Sequence, residues 1–173
     1  MSITTKTGDD GTTAIFGGKR LTKSDVQIEA CGAADEATSF IGLAIESISE
    51  KKVINLLSDV QMHLYLIMAY LSGSSLDIKR IKKHLNVMES VIKEYERTLP
   101  KLTRFILPQG SEQTSRLHTA RAIVRSAERR ITHFIYKKDA QNKSDALTLQ
   151  YMNRLSDLLF LLARIFDKNE VTT

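Results

Sequence analysis

The sequence of 173 residues contains no tryptophan, only two prolines and a single cysteine. Cys31 alone cannot form an intrachain disulfide, and neither a Cys-x-x-Cys pair nor a Cys/His cluster offers a structural zinc site. No segment approaches the roughly 18 consecutive apolar residues of a membrane-spanning helix, and residues 1–5 lead into polar, glycine-rich sequence rather than a secretory signal. We therefore expect a cytoplasmic protein that has no membrane partner.

Two other absences narrow the function. None of the four histidines has a glutamate three residues before it, which excludes the Glu-x-x-His pairs of di-iron carboxylate bundles. Aromatic residues make up 6% of the chain and are not interleaved with the basic positions, which disfavours nucleic-acid binding. A net charge of +5 suits an anionic partner without choosing among nucleotide, nucleic acid and acidic surface.

The composition of residues 1–25 differs from that of the rest of the chain. Four of the eight glycines lie there, among threonines and aspartates, which predicts an ordered loop with a short extended piece at 13–16. A flexible tail is the alternative. The sequence is not a Walker A motif, but exposed backbone N–H groups could hold a phosphate chain. The basic residues that could assist are Lys6, Lys19, Arg20 and Lys23.

From Val26 onward, apolar residues recur at helical spacing, with breaks after Leu71 and at Leu99-Pro100. The fourth and fifth predicted helices run from about 112 to 137 and from about 144 to 166, and the fifth is expected to be the most buried. Five helices with short connections predict a single all-α domain over 1–173, with a five-helix up-and-down bundle over 26–173. The predicted inner face of helix one consists of Ile28, Cys31, Thr38, Ile41, Ile45 and Ile48.

The fourth helix carries an unusual charged cluster. Arg121, Arg125 and Glu128 fall within roughly 60° of one another, beside an apolar stripe that includes Leu117 and Val124. Two guanidiniums one turn apart repel unless an anion lies between them. The cluster is therefore either a solvated face, with Glu128 screening Arg125, or a site for a polyanionic substrate.

Three further features leave alternatives open. Asp35, at the edge of the inner face of helix one, needs an arginine partner or a water-filled cleft. The connector, residues 102–111, contains the apolar run Phe105–Pro108, which the bundle core, a ligand or a neighbouring subunit must cover. The fifth helix carries a narrow polar line that faces either a site or bonding partners: Asn153, Asp157 and Arg164.

Five blocks of this sequence resemble, in order and approximate spacing, the signature blocks of the PduO-type ATP:cob(I)alamin adenosyltransferases. They are Thr5–Thr13, Cys31–Glu36, Phe105–Pro108, Arg121–Arg130 and Asn153–Asp157. Departures stand at Gln109, where many members have glycine or serine, and at Ser126, where many have arginine. Neither position is among the residues whose roles the resemblance carries over to this chain.

The resemblance implies a cobalamin adenosyltransferase-like, ferritin-like bundle that assembles as a homotrimer with active sites between subunits. ATP would bind with Mg²⁺ held through the phosphates rather than by side chains, and its 5′-deoxyadenosyl group would pass to the cobalt of a corrinoid. A cob(II)alamin reductase and a cobalamin-dependent acceptor enzyme are implied partners. The implied ATP-binding residues are Thr5, Lys6, Thr7, Gly8, Thr13, Lys23, Arg125, Glu128, Arg129 and Asn153.

The resemblance also assigns catalytic roles. Arg125 would stabilise the leaving triphosphate, and Asp35 would pair with Arg121 across the subunit interface. Phe105 would close the lower face of the corrinoid, where a dry apolar wall favours reduction to cobalt(I). The alternatives are a non-catalytic ATP- or corrinoid-binding protein on the same fold, and a basic nucleic-acid-binding bundle.

Overall fold

The structure, a computed structural model, describes residues 3–167 and 169–173. None of the described helices is long and apolar enough to cross a lipid bilayer. The prediction of an all-α, five-helix bundle with an ordered N-terminal loop is confirmed. The elements are β1 Thr12–Ala14, β2 Arg20–Thr22, α1 Val26–Ile45, α2 Lys51–Leu71, α3 Ile78–Thr98, α4 Glu112–Tyr136 and α5 Lys143–Phe166.

Polar caps mark the starts of α1, α3, α4 and α5, whereas α2 begins without a side-chain cap. The Asp25 side chain accepts the Gln27 backbone N–H at 2.8 Å and so starts α1. At the start of α5, Asn142 accepts the N–H groups of Ser144 and Asp145, while the Asp145 carboxylate accepts the Asn142 N–H at 3.0 Å. This reciprocal capping box fixes the turn between α4 and α5, which keeps the two helices in contact.

The helices pack in the order α2, α1, α4, α5, α3, each against the next. Helix α4 therefore lies between α1 and α5, and its predicted apolar stripe is buried. Helix α5 buries more side chains than any other helix, as expected. Charged side chains of α4 therefore lie at the two edges of this stripe, where they contact both the core and solvent.

The predicted inner face of α1 is wrong in its composition. Of the residues expected there, Ile41 and Ile48 are buried, but Ile28, Cys31, Thr38 and Ile45 are only half-buried. The face toward the core is made of Ile41 and five alanines: Ala30, Ala33, Ala34, Ala37 and Ala44. Because the alanine side chains are small, α1 can lie close against α4, and Ile28, Cys31 and Ile45 are displaced to the flank.

Two histidines stack inside the core where α2, α3 and α5 meet. The rings of His63 and His84 have centroids 4.0 Å apart and planes 8° apart. His84 Nδ1 lies 3.0 Å from the Tyr151 hydroxyl, and His63 Nδ1 lies 2.6 Å from the Asp59 carbonyl oxygen. Burial, and then the neighbouring His63, lower the pKa of His84 to about 4, so its ring is neutral near pH 7.

The glycine-rich segment is an ordered hairpin. Strands β1 and β2 pair antiparallel, with Thr13 opposite Leu21, and the Phe16 N–H donates to the Ser72 hydroxyl at 2.9 Å. The second contact attaches the hairpin to the end of α2. The extended piece expected at 13–16 is therefore part of a two-stranded unit, of which the sequence suggested only the first strand; Met1 and Ser2 of the predicted loop lie outside the described residues.

Candidate functional site

A polar cavity of about 350 Å³ lies between α4 and α5 and is lined by Arg125, Glu128, Arg129, Thr132 and Asn153. The Asn153 side-chain amide donates to Glu128 Oε1 at 3.3 Å, and Arg129 donates to the Arg125 carbonyl oxygen at 3.0 Å. Among the ion pairs of the described residues, none joins Glu128 to Arg125, so the alternative in which Glu128 screens Arg125 is not supported. The cavity combines cations with an oriented carboxylate and amide.

A second, aromatic cavity of about 470 Å³ adjoins it, between α4, α5 and the connector. Phe105 is 85% exposed at its mouth, which excludes the bundle core as the cover of the connector's apolar run. The residues lining this aromatic cavity are Leu102, Arg104, Phe105, Ile106, Arg121, Arg125, Ser156, Asp157 and Phe160. Arg125 lines both cavities, so this one residue lies at the boundary between the polar cavity and the aromatic cavity.

Arg121 forms part of the wall of the aromatic cavity. Its guanidinium carbon lies 5.6 Å from the centroid of the Phe160 ring, and its Nε is buried without a hydrogen-bond partner among the described residues. Burial, and then the charge of Arg125, lower the pKa of Arg121 from its usual value. A buried guanidinium nitrogen with no acceptor is costly, so Arg121 Nε calls for an acceptor that the described residues do not supply.

His118 lies one turn before Arg121 and shares its surroundings. Its ring centroid is 6.2 Å from that of Phe160, and its Nδ1 is also buried without a partner among the described residues. Burial, and then Arg121, lower the pKa of His118, so the ring favours its neutral form. The neutral ring adds no further positive charge beside Arg121 and Arg125.

Asp35 lies elsewhere, in a hairpin cavity of about 460 Å³ between the hairpin, α1 and α2. The residues lining the hairpin cavity are Thr13, Ala14, Ile15, Ile28, Cys31, Gly32, Asp35, Tyr65, Met68, Ala69 and Ser72. Asp35 is exposed there, as its cleft alternative anticipated. Within one chain, the hairpin residues and Asp35 therefore line a different cavity from Arg121 and Arg125.

The hairpin holds its own basic residues in two different ways. A Cβ atom at Gly8 would lie 3.3 Å from Lys23 Nζ, so the absence of a side chain lets this ammonium group approach the loop. Arg20, by contrast, donates to the Thr12 hydroxyl and the Thr7 carbonyl oxygen. The Arg20 guanidinium therefore braces the loop, but Arg20 is exposed, as are Lys6, Lys19 and Lys23, so its contact with a phosphate stays a prediction.

The polar line on α5 divides between site and scaffold. Asn153 lines the polar cavity, and Asp157 lines the aromatic cavity while accepting from Arg154 at 2.8 Å. Arg164 is 5% exposed and pairs with Glu170 at 2.7 Å, so it is a bonded structural residue. Both alternatives therefore apply, each to a different part of the line.

Cys31 is unsuited to nucleophilic catalysis. It is half-buried against the hairpin cavity rather than in the core. Burial nevertheless raises the pKa of its thiol to about 11, which leaves almost no thiolate at neutral pH.

Sequence reasoning missed two prominent parts of the aromatic cavity, Phe160 and His118. Phe160 was available as a signal, because it follows Asn153 by seven residues and so shares its face of α5. His118 precedes Arg121 by three residues and so lies on the same face of α4. Neither was singled out, since both also fit an ordinary helix–helix contact.

Comparison of the sequence with known proteins identifies its family. Residues 3–166 match the family model described as cobalamin adenosyltransferase. The Bos taurus corrinoid adenosyltransferase MMAB is 39% identical, over 94% of this chain and 70% of the relative. A corrinoid adenosyltransferase of Bacillus subtilis is 37% identical, over 95% of this chain and 86% of the relative. The chain belongs to the cobalamin adenosyltransferase family.

Solved structures extend the likeness to three dimensions. One is a phenylalanine-to-alanine variant of a PduO-type ATP:corrinoid adenosyltransferase from Lactobacillus reuteri, complexed with cobalamin and ATP. It has a TM-score of 0.88 and 29% identity, and the match covers 99% of both chains. An arginine-to-lysine variant complexed with ATP has a TM-score of 0.89 and 30% identity. The chain spans only 50% of the Citrobacter freundii corrinoid adenosyltransferase PduO, to which it is 34% identical.

Proposed function

We propose that this chain transfers the 5′-deoxyadenosyl group of ATP to the cobalt of a reduced corrinoid, cob(I)alamin, and releases triphosphate. The observation that carries the proposal is the position of Arg125 between the polar cavity and the aromatic cavity. The polar cavity provides cations and oriented polar groups that could bind a polyanion. The aromatic cavity provides an aromatic wall against which the ring of a corrinoid could pack. The substrates of relatives with this fold combine these two chemistries, since a related structure is complexed with cobalamin and ATP.

The reaction fits the residue types. The cobalt(I) lone pair forms a bond to C5′ of ATP, while the C5′–O bond breaks and its electron pair leaves with triphosphate. No proton is transferred, so no general base is required. Negative charge builds on the triphosphate, and a fixed guanidinium such as that of Arg125 stabilises the transition state more than the ground state.

The ATP-binding residues are proposed in two groups. Arg125, Glu128, Arg129 and Asn153 would hold the nucleotide in the polar cavity of one subunit. The hairpin would hold the phosphates from the facing subunit, where Lys23 and the loop N–H groups supply positive charge. The hairpin residues in this role are Thr5, Lys6, Thr7, Gly8, Thr13 and Lys23.

The same arrangement supports a homotrimer with sites between subunits. Asp35 is an exposed carboxylate on one side of the chain, and Arg121 has a buried nitrogen without an acceptor on another. Pairing the two across an interface would supply that acceptor and join the hairpin of one subunit to the polar cavity of the next. The exposed Asp35 carboxylate and the unpartnered Arg121 nitrogen both support this assembly.

Mg²⁺ would be bound through ATP rather than by a site in the protein. The described residues contain no group of three or more His, Cys, Asp or Glu side chains that could hold a metal ion. The phosphates would supply the oxygen ligands that Mg²⁺ prefers, and the ion would neutralise part of their charge. A cytoplasmic location, a cob(II)alamin reductase and a cobalamin-dependent acceptor enzyme complete the proposal.

The test is turnover. Chemically reduced cob(I)alamin mixed with ATP, Mg²⁺ and the protein should convert to adenosylcobalamin, which is followed by its absorbance. Binding of ATP and corrinoid without conversion would identify a non-catalytic binding protein instead. Steeply salt-dependent binding of an oligonucleotide, with no conversion, would favour a nucleic-acid-binding bundle.

A further inference from the structure

The segment that follows α5 pairs with the connector along its backbone. The Leu107 N–H donates to the Val171 carbonyl oxygen at 2.9 Å, and the Thr173 N–H donates to the Phe105 carbonyl oxygen at 3.0 Å. Ile106 and Thr172 face each other as an antiparallel pair between these bonds. The backbone of Phe105 is therefore held by residues 171–173, while its side chain is 85% exposed and lacks support from the bundle core.

Arg164 anchors this segment from the interior of the bundle. Its Nε donates to Glu170 Oε1 at 2.7 Å, and its Nη2 donates to Glu170 Oε2 at 3.3 Å and to the Pro100 carbonyl oxygen at 3.0 Å. The guanidinium is 5% exposed, and a two-pronged contact of this kind is strong and directional. One side chain thus ties together the end of α3, helix α5 and the segment that pairs with Phe105.

We propose that Arg164 and Glu170 are positioning residues for the corrinoid site: they fix residues 171–173, which in turn fix Phe105 at the mouth of the aromatic cavity. The catalytic consequence rests on the proposed function, whereas the structural linkage does not. Neither residue lines the aromatic cavity, although Arg164 lines a neighbouring cavity that shares Leu102, Asp157 and Phe160 with it. The positioning role is therefore assigned through the backbone ladder that Glu170 anchors.

The linkage makes a direct prediction for amide hydrogen exchange of the protein without substrates. In Glu170→Gln, the Leu107 and Thr173 amides should exchange at least about tenfold faster than in the parent, because the ladder opens more often when its anchor is weakened. Amides in the middle of α1 and α2 should keep their rates. Unchanged exchange at Leu107 and Thr173 would overturn the proposal, whatever the activity of the protein.

A second variant tests the ladder without disturbing the buried ion pair. Thr173→Pro removes the N–H that donates to Phe105 and leaves Arg164 and Glu170 intact. It should speed exchange at Leu107 in the same way. The matched control is Glu89→Gln, which removes a carboxylate paired with Arg154 of the same helix α5 but makes no bond to residues 105–107 or 170–173. This variant should leave exchange at Leu107 unchanged.

Kinetics then separate positioning from general damage. Both Glu170→Gln and Thr173→Pro should raise the KM for the corrinoid by about tenfold while the KM for ATP stays within about twofold. Glu170→Asp, which keeps the charge, should recover part of the loss. An equal rise in both KM values would overturn the positioning role. Failure of the parent protein to convert cob(I)alamin would refute the proposed function, but the exchange experiment would still decide the linkage.

Discussion

Arg121 lies over the ring of Phe160, with its guanidinium carbon 5.6 Å from the ring centroid, while its Nε is buried and unpartnered among the described residues. The ring supports the cation but cannot accept the Nε hydrogen in the plane of the guanidinium. One further acceptor is therefore needed, and a carboxylate from a second subunit would provide it.

Replacement of either member of the proposed Asp35–Arg121 pair should be harmful, because each change leaves a partly buried charge without its partner. The double variant Asp35→Ala/Arg121→Ala should cost clearly less than the sum of the single changes. A double-mutant cycle on turnover, with coupling of about 1–3 kcal/mol, is the expected result. Strictly additive effects would mean that the two side chains do not meet.

The assembly can be tested separately from the chemistry. Light scattering of the parent at micromolar concentration should give the mass of three chains, each of 19.5 kDa. Asp35→Ala should shift the distribution toward smaller species, because an interfacial carboxylate is lost. A fully active monomer would contradict both the trimer and the location of the site between subunits.

Arg125→Ala should slow turnover by about 100-fold, equivalent to about 3 kcal/mol of transition-state stabilisation. Folding should survive, because Arg125 is exposed on α4. Steady-state kinetics with ATP and cob(I)alamin provide the measurement, and circular dichroism checks the fold. Arg80→Ala, a change of the same type at an exposed position on α3, is the control and should retain the parent rate.

Phe105→Ala should separate ATP binding from corrinoid chemistry. Loss of the ring should leave ATP affinity nearly unchanged but impair conversion that starts from cob(II)alamin, because water or the displaced base could then reach the lower face of the corrinoid. Conversion from pre-reduced cob(I)alamin should suffer less. Spectroscopy of cob(II)alamin with ATP should show a weaker four-coordinate signal; an undiminished signal would assign Phe105 no role in closing that face.

The stacked histidines predict acid sensitivity of the fold. Because the pKa of His84 is lowered to about 4, the unfolded chain, with an ordinary histidine pKa near 6.5, binds more protons between these values. The contribution of neutral His84 is complete above about pH 6.5 and is lost as the pH falls toward 4. We expect the free energy of unfolding to decrease by about 1–3 kcal/mol across this window.

The measurement is urea unfolding at several pH values. His84→Gln should flatten the curve between pH 6.5 and 4, since a glutamine cannot titrate there. His133→Gln, at an exposed position on α4, should leave the pH dependence as in the parent. A parent curve with no slope in this window would show that His84 protonates in the folded state without penalty.

Much of the fold could be predicted because the helix boundaries are marked locally. Gly73 and Pro100 follow helix ends, and the apolar stripe of α4 has the spacing of one buried face. Large apolar residues misled the prediction for α1, where Ile28 and Cys31 lie on the flank and alanines face the core. The spacing of large apolar residues is a poor guide to the buried face of a helix when its closest contacts are made by alanines.

The site was predictable only in part, for a different reason. Arg125, Glu128 and Asn153 were identified from the sequence, and the structure brings them into one cavity. The contact between Arg164 and Glu170 was not predictable, because it depends on where the chain turns after α5. The meeting of His63 with His84 depends likewise on how α2 and α3 align, which no local pattern encodes.

The alanine face of α1 limits which substitutions the chain can accept. Ala30, Ala33, Ala34 and Ala37 are each no more than 2% exposed, so a larger side chain at any of them would force α1 and α4 apart. Helix α1 carries Asp35, and α4 carries Arg121 and Arg125, so such a change would alter the spacing between the hairpin cavity and the aromatic cavity. These four small residues therefore set the spacing between the helices, and in a saturation-mutagenesis library selected for folding they should tolerate fewer replacements than Asp35, Arg121 and Arg125.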